Sequence, residues 1–169
     1  MTLPARIALV GFMGAGKTTV GRLLATRLDY TFVDSDDEIQ SRAGTSVSEI
    51  FRQHGEAWFR RLEELAIRDL LNLSSRVIAT GGGAFAQPGC ADDLLSRAFT
   101  VHLSCDFAEA LRRVADQGGR PLVEKGEMDV ASLYADRKDK YARAHAIVDT
   151  TNRSPDEVVT DVLRLLPHP

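Results

Sequence analysis

Cysteine is scarce in this chain. Cys90 and Cys105 are the only two in 169 residues, they lie far apart, and neither belongs to a C-x-x-C pair. A disulfide scaffold and a thiolate zinc site are thereby excluded. Two buried, reduced thiols in a cytoplasmic protein are the simplest expectation. His54, His102, His145 and His168 show no ligand spacing, so they predict no metal centre of their own. No apolar run approaches the roughly 20 residues needed to span a bilayer. The short N-terminal apolar run leads straight into a glycine loop and reads as a first strand, not as a signal peptide. Positive charge is not in excess: 21 Lys and Arg against 24 Asp and Glu give a net charge of −3, which offers no general attraction to nucleic acid or to an anionic membrane. Repeats, linkers and low-complexity tracts are absent as well. What is left is an ordinary globular composition, 44% hydrophobic and 27% charged, of a length that predicts one domain over residues 1–169 with a full core.

The chain is organised around Gly11-Phe12-Met13-Gly14-Ala15-Gly16-Lys17-Thr18. This is G-x-x-x-x-G-K-[ST], placed between a strand-like run, Ile7-Ala8-Leu9-Val10, and a helix-like stretch from Thr19 to Leu28. The glycines let the backbone turn its N–H groups inward to cradle phosphate oxygens, and the following helix adds the positive end of its dipole. Lys17 is placed to reach the β- and γ-phosphates and Thr18 to offer its hydroxyl to Mg²⁺.

Strand and helix patterns then alternate. Strands are expected at Leu3 to Val10, Thr31 to Val33, Arg76 to Thr80, Phe99 to Leu103 and Ile147 to Asp149. Helices are expected from Asp36 to a glycine stop at Gly44, from Ser46 through a break at Gly55 to about Leu71, at about Gly89 to Arg97, at Asp106 to Ala115, at Asp129 to about Ala144, and from the Ser154-Pro155-Asp156-Glu157 cap to Leu166. Ser46-Val47-Ser48-Glu49 has the form of a capping box. Strands separated by helices predict a parallel sheet with helices on both faces, and ligands in such folds bind beyond the carboxyl ends of the strands. The glycine loop, the cluster Asp34-Ser35-Asp36-Asp37 and the triple glycine Gly81-Gly82-Gly83 all fall at such ends. The stretch from about Asp116 to Glu127, with Gly118, Gly119, Arg120 and Pro121, has no period and predicts a mobile lid.

Asp34 and Asp36 flank a strand end two positions apart, where one carboxylate can hold Mg²⁺ or its water and the other can orient or deprotonate an alcohol. Asp37 and Glu38 read as ordinary helix-start carboxylates. Arg60 has Glu56 and Glu64 four residues away on either side and, by local pattern, belongs to a solvated helix face. The triple glycine calls for either a tight turn or close approach of a ligand. By local pattern alone Arg113, Arg120 and Arg137 are ordinary surface arginines.

Taken as a set, G-F-M-G-A-G-K-T-T-V-G-R, D-S-D, F-R-R-L-E-E, G-G-G-A and G-R-P-L resemble the shikimate kinases, small P-loop enzymes akin to the nucleoside-monophosphate kinases, over about Ile7 to Val162. The resemblance implies a three-layer α/β/α fold with a central parallel five-stranded sheet, a helical substrate-binding region at about 34–62 and a lid at about 116–127. It implies ATP as co-substrate and one Mg²⁺, with phosphoryl transfer to the 3-hydroxyl of shikimate in aromatic amino-acid biosynthesis. By the same resemblance, Gly14, Ala15, Gly16, Lys17, Thr18 and Thr19 would hold the ATP phosphates. Thr18 would ligate Mg²⁺ with Asp34 assisting through water. Asp36 would be the general base on the shikimate hydroxyls. Arg60 and Arg137 would bind the shikimate carboxylate, Gly82 and Gly83 would contact it through backbone, and Val47, Phe51 and Phe59 would pack its apolar side. Arg120 would close from the lid onto the phosphates, and Arg113, Arg153 and Pro155 would lie at the adenine. Two arginines suit a carboxylate because a planar guanidinium pairs with it two-pronged. The chain departs from the family in Arg137-Lys138-Asp139-Lys140-Tyr141, which lacks a proline but keeps the spacing from Arg to Tyr.

A gluconate-kinase-like or nucleotide kinase is the nearest rival, and an inactive shikimate sensor is a third reading. A GTPase-type switch would use Asp116-Gln117-Gly118-Gly119 as D-x-x-G, but that segment follows a helix pattern and no N-K-x-D accompanies it. A monomer that binds small molecules in the cytoplasm, without nucleic acid or membrane, is the expectation.

Overall fold

The computed structural model describes residues 3–117 and 127–167. Within these residues β1 (Arg6–Val10) leads into the glycine loop and α1 (Lys17–Leu28). Then come β2 (Thr31–Asp34), α2 (Ser35–Ala43), α3 (Val47–Leu70), β3 (Arg76–Ala79), a single 3₁₀ turn (Ala84–Ala86) and α4 (Pro88–Arg97). The chain continues as β4 (Phe99–Ser104), α5 (Phe107–Asp116), α6 (Glu127–Tyr141), β5 (Ala146–Asp149) and α7 (Pro155–Leu165). The five strands form one all-parallel sheet in the order β2-β3-β1-β4-β5.

β1 is central, and its residues alternate between two cores as a strand period of two requires. Ile7 and Leu9 face a core shared with Val20 and Leu24 of α1 and Val158, Val159 and Val162 of α7. Ala8 and Val10 face the other core, with Ile67 and Leu70 of α3, Cys90 and Leu94 of α4, and Val130 and Tyr141 of α6. A third, smaller cluster joins Ile39 of α2 to Ile50, Phe59 and Ala66 of α3, with Val47, Phe51 and Leu62 against it. This gives the three layers expected from the alternating pattern.

Several boundaries differ from the sequence reading for local reasons. α1 begins at Lys17 and not Thr19, because Gly16 takes a left-handed cap conformation (φ 93) and turns the loop straight into the first helical turn. Gly44 (φ 66) stops α2 as expected. α3 is two helical pieces joined at Gly55 (φ 79, ψ 176), also as expected. The expected capping box at Ser46 is half formed. The Ser46 hydroxyl accepts from the Glu49 amide, while the Glu49 carboxylate turns outward to Arg52 and Gln53. The box at Ser154 and Glu157 is complete. α6 ends at Tyr141, three residues before the expected Ala144. The expected lid lies almost wholly outside the described residues, and Arg120, Gly118 and Gly119 lie outside them too.

Gly11 and Gly44 separate two costs of replacing a glycine. Both have positive φ, but a Cβ on Gly11 would stand 2.5 Å from the Leu103 carbonyl oxygen, whereas one on Gly44 would meet nothing within 4 Å. Gly44→Ala is expected to cost about 1–2 kcal/mol of strain. Gly11→Ala is expected to cost about 1–3 kcal/mol more through the collision. Urea unfolding of both variants checks the order, and equal losses would contradict it.

Candidate active site

The glycine loop closes around its own lysine. The Lys17 ammonium donates to the carbonyls of Gly11 (2.7 Å) and Phe12 (2.9 Å). Burial lowers its pKa to about 8, with Asp34 and Asp36 pulling the other way and Arg137 reinforcing the fall. Thr18, one residue on, donates its hydroxyl to Asp34 Oδ2 at 3.0 Å. Asp34 has two employments. Its Oδ1 accepts from the Asp36 amide at 2.9 Å and caps α2, and its Oδ2 faces the loop. Capping therefore accounts for only half of this carboxylate.

Beside the loop lies a groove of about 560 Å³. One wall is Gly14, Ala15, Gly16, Lys17, Thr18 and Thr19; the other includes Arg113, Thr150, Asn152, Arg153 and Pro155. Its size suits a nucleotide. Arg113 joins the walls, donating to the Gly14 carbonyl at 3.3 Å and the Thr150 carbonyl at 2.6 Å, while Glu109 accepts from its Nε at 2.9 Å. Arg153 lines the groove, but its guanidinium turns to the Asp149 carbonyl (3.0 Å) and the Asp161 carboxylate (2.7 Å).

On the other side of Lys17 the charged groups are buried. Asp36 Oδ1 is buried without a hydrogen-bond partner. Burial pushes the Asp36 pKa up, Asp34 adds to the rise, and Lys17 and Arg60 oppose it. Arg60 pairs with Glu63 at 2.6 Å and Glu56 at 3.3 Å. Burial works against the Arg60 charge, but Glu63 and Glu56 more than offset it, and the net shift is upward. Glu63 is fully buried, and its pKa is raised by burial against the pull of Arg60.

The triple glycine threads between these groups. None of its three residues has positive φ, so the requirement is for space and not for turn geometry. A Cβ on Gly81 would stand 2.8 Å from both Asp36 Oδ1 and Glu63 Oε1. On Gly83 it would stand 2.6 Å from Arg60 Nη1, and on Gly82 3.3 Å from Arg137 Nη1. Asp36, Arg60, Gly82, Gly83 and Arg137 are thus brought together from α2, α3, the loop after β3, and α6. Tyr141 holds α6 there by donating its hydroxyl to the Gly82 carbonyl, which gives the retained Arg-to-Tyr spacing a physical role. Tyr141 also packs on His102 (4.9 Å between rings), whose pKa falls to about 4 through burial and the nearby Lys17, leaving it neutral. Arg137 lies over the Phe12 ring at 5.9 Å, and Phe51 and Phe59 pack at 4.7 Å beside Arg60.

Two participants were given no role in the sequence reading, Glu63 and Ser35, and Tyr141 entered it only through its spacing from Arg137. Glu64, expected to pair with Arg60, pairs with Arg68 at 2.8 Å. Glu63 carried a usable signal, because it falls on the same helical stripe as Phe59, Ala66 and Leu70, and a carboxylate on a buried face needs a partner.

The donor set fits Mg²⁺ with its usual company. One hydroxyl and one carboxylate stand at the mouth of the phosphate loop, and among the described residues no group of three or more His, Cys, Asp or Glu forms a cage. Mg²⁺ keeps several waters and binds through one or two carboxylates plus substrate phosphates.

A parallel α/β sheet with this loop and groove defines a P-loop nucleotide-binding protein of the kinase class. A model of the shikimate kinase family matches residues 13–167. The shikimate kinase of Geobacter sulfurreducens is 41% identical over 167 residues, covering 96% of this chain and 92% of that protein. Among solved structures, the shikimate kinase of Acinetobacter baumannii in complex with shikimate superposes with a TM-score of 0.91 at 38% identity, covering 97% of this chain and 93% of that one. That of Aquifex aeolicus gives 0.81 at 38% identity, covering 94% of each. The chain belongs to the shikimate kinase family.

Glu63 and Glu56 both touch Arg60, but the Glu63 side chain is 0% exposed and that of Glu56 61%. Glu63→Ala takes the buried carboxylate from a mostly buried guanidinium and leaves it only the exposed Glu56, so it is expected to cost about 3–5 kcal/mol. Glu56→Ala is expected to cost under about 1 kcal/mol. Denaturant melts of the two variants compare them directly, and similar losses would place Glu63 outside the pair's energetics.

Proposed function

We propose that the protein transfers the γ-phosphoryl group of ATP to the 3-hydroxyl of shikimate, giving shikimate 3-phosphate and ADP. The observation that carries this reading is the free, buried Oδ1 of Asp36, set between the phosphate-loop lysine and the Arg60 guanidinium. A similar solved structure, that of Acinetobacter baumannii, is a complex with shikimate.

In this reading Arg60 and Arg137 pair with the substrate carboxylate, and the backbone at Gly82 and Gly83 borders the ring. Val47, Phe51 and Phe59 supply the apolar side. Asp36 accepts the proton of the 3-hydroxyl as that oxygen forms its bond to the γ-phosphorus. The bond from the γ-phosphorus to the bridging oxygen breaks, and ADP leaves with the electron pair. Lys17 gives up its loop carbonyls and turns to the β- and γ-oxygens, with the amides of Gly14, Ala15, Gly16, Thr18 and Thr19 around the phosphates. Thr18 and Asp34 would hold Mg²⁺, which supplies charge neutralisation on the phosphates when bound. Arg113, Arg153 and Pro155 border the base. Arg120, outside the described residues, closes over the phosphates with a lid at about 116–127. The reading includes a single domain over residues 1–169, a monomer, and a cytoplasmic place of work. Among the described residues no helix is long and apolar enough to cross a membrane.

The first test is ADP release from ATP and Mg²⁺ with shikimate, gluconate or a nucleoside monophosphate added. Stimulation by shikimate alone is expected; ATP binding without that stimulation would discard the substrate. Asp36→Asn should lower kcat by about 10²–10⁴-fold while ATP binding persists. Near-normal turnover would remove Asp36 from the chemistry. Arg60→Ala should raise the KM for shikimate by about 10- to 100-fold and leave that for ATP unchanged. Equal effects on both substrates would make Arg60 structural.

A further inference from the structure

Ser35 stands between the two aspartates, as the first residue of α2, and is fully buried. A serine at a helix start ordinarily turns its hydroxyl to the amides of its own helix. That position is already filled, since Asp34 caps α2. The Ser35 hydroxyl instead reaches across the chain and accepts from the Gly81 amide at 3.0 Å.

The need for that contact follows from where β2 stops. β2 and β3 run in parallel register as far as Asp34 opposite Ala79. Beyond Asp34 the chain turns helical, and its carbonyls are committed to the helix. Thr80 finds an acceptor on β1, its amide donating to the Leu9 carbonyl at 3.1 Å. Gly81 is buried, and a buried amide needs an acceptor. Two carboxylate oxygens crowd the Cα of the same residue: Asp36 Oδ1 and Glu63 Oε1, each 2.8 Å from where a Cβ on Gly81 would stand and each without a hydrogen-bond partner. A carboxylate is a stronger acceptor than a hydroxyl. The amide nevertheless goes to the hydroxyl.

We infer that Ser35 is a positioning residue for phosphoryl transfer: by taking the Gly81 amide, its hydroxyl keeps Asp36 Oδ1 unoccupied and correctly placed to receive the substrate proton. Without that acceptor the amide turns to Asp36, whose oxygen is then hydrogen-bonded in advance and pulled toward the backbone. The inference rests on the proposed kinase reaction and adds to it a residue that touches neither substrate.

The test compares the wild-type chain with Ser35→Cys and Ser35→Ala. Cysteine fills the same space but accepts hydrogen bonds weakly. Both variants should lower kcat by roughly 10- to 100-fold, the scale of a small misplacement of a reacting group. The KM values for ATP and shikimate should stay within about threefold, because the arginines and the phosphate loop are untouched. The melting temperature of Ser35→Cys should stay close to that of the wild type. A folded Ser35→Cys protein with wild-type kcat overturns the inference, since filled space would then suffice. Rises in both KM values without a fall in kcat overturn it too. Failure of both variants to fold likewise overturns it, by making the hydroxyl a requirement of the fold. Absence of shikimate-dependent ADP release from the wild-type chain overturns the kinase reading itself, and is thereby distinguished from failure of the inference alone.

Discussion

Charge removed from water must be balanced nearby, and the region around the triple glycine depends on that rule. Lys17, Arg60 and Arg137 each act on one or more of Asp34, Asp36 and Glu63, so three cations answer three carboxylates. Desolvation is the largest influence on Lys17, Asp36 and Glu63 alike. Only the Arg60–Glu63 pair is closed by a short direct contact. Even so, Asp36 Oδ1 has no partner, and within the closed pair Glu63 Oε1 and Arg60 Nε keep unspent hydrogen-bonding capacity. Such an arrangement costs stability in the free protein and is recovered when a polar ligand arrives.

The sheet supplies the rigidity that makes this tolerable. β1 and β3 are adjacent and carry the phosphate loop and the triple glycine at their carboxyl ends. The two strips of backbone that must approach a ligand are therefore neighbours in one hydrogen-bonded ladder. Two side chains extend the attachment outward: Tyr141 fixes α6 to Gly82, and Arg113 fixes the loop after β5 to Gly14. α6 and the loop after β5 are thus fastened to strand ends, while α2 and α3, which carry Asp36 and Arg60, are also packed on each other.

How much of this could be read from the sequence follows from the range of each interaction. The glycine loop, the left-handed stop at Gly44, the break at Gly55 and the alternation of strand and helix depend on a few consecutive residues, and all were legible. The family motifs pointed to the residues around Asp36, Arg60, Gly82 and Arg137 and did not give the reasons for them. Four-residue spacing pointed to Glu56, which does pair with Arg60, and to Glu64, which does not, while burial adds Glu63 on the inward face. Ser35 had no local signal, since its partner is 46 positions away and becomes its neighbour only once β2 and β3 pair. The starts of α1 and α2 lie one or two residues earlier than expected because the left-handed Gly16 and the Asp34 side-chain cap set them.

The glycine after the middle of that triplet also bears on how the protein can change over generations. At Gly83 a side chain fits only if the Arg60 guanidinium gives up the space. A lineage that gained bulk at the one position would have to displace or lose the arginine at the other. Loss of the arginine would leave the buried Glu63 without its cation, while the exposed Glu56 would return to water. The two sites are therefore coupled in descent as well as in packing: a change at one alters what the other can hold.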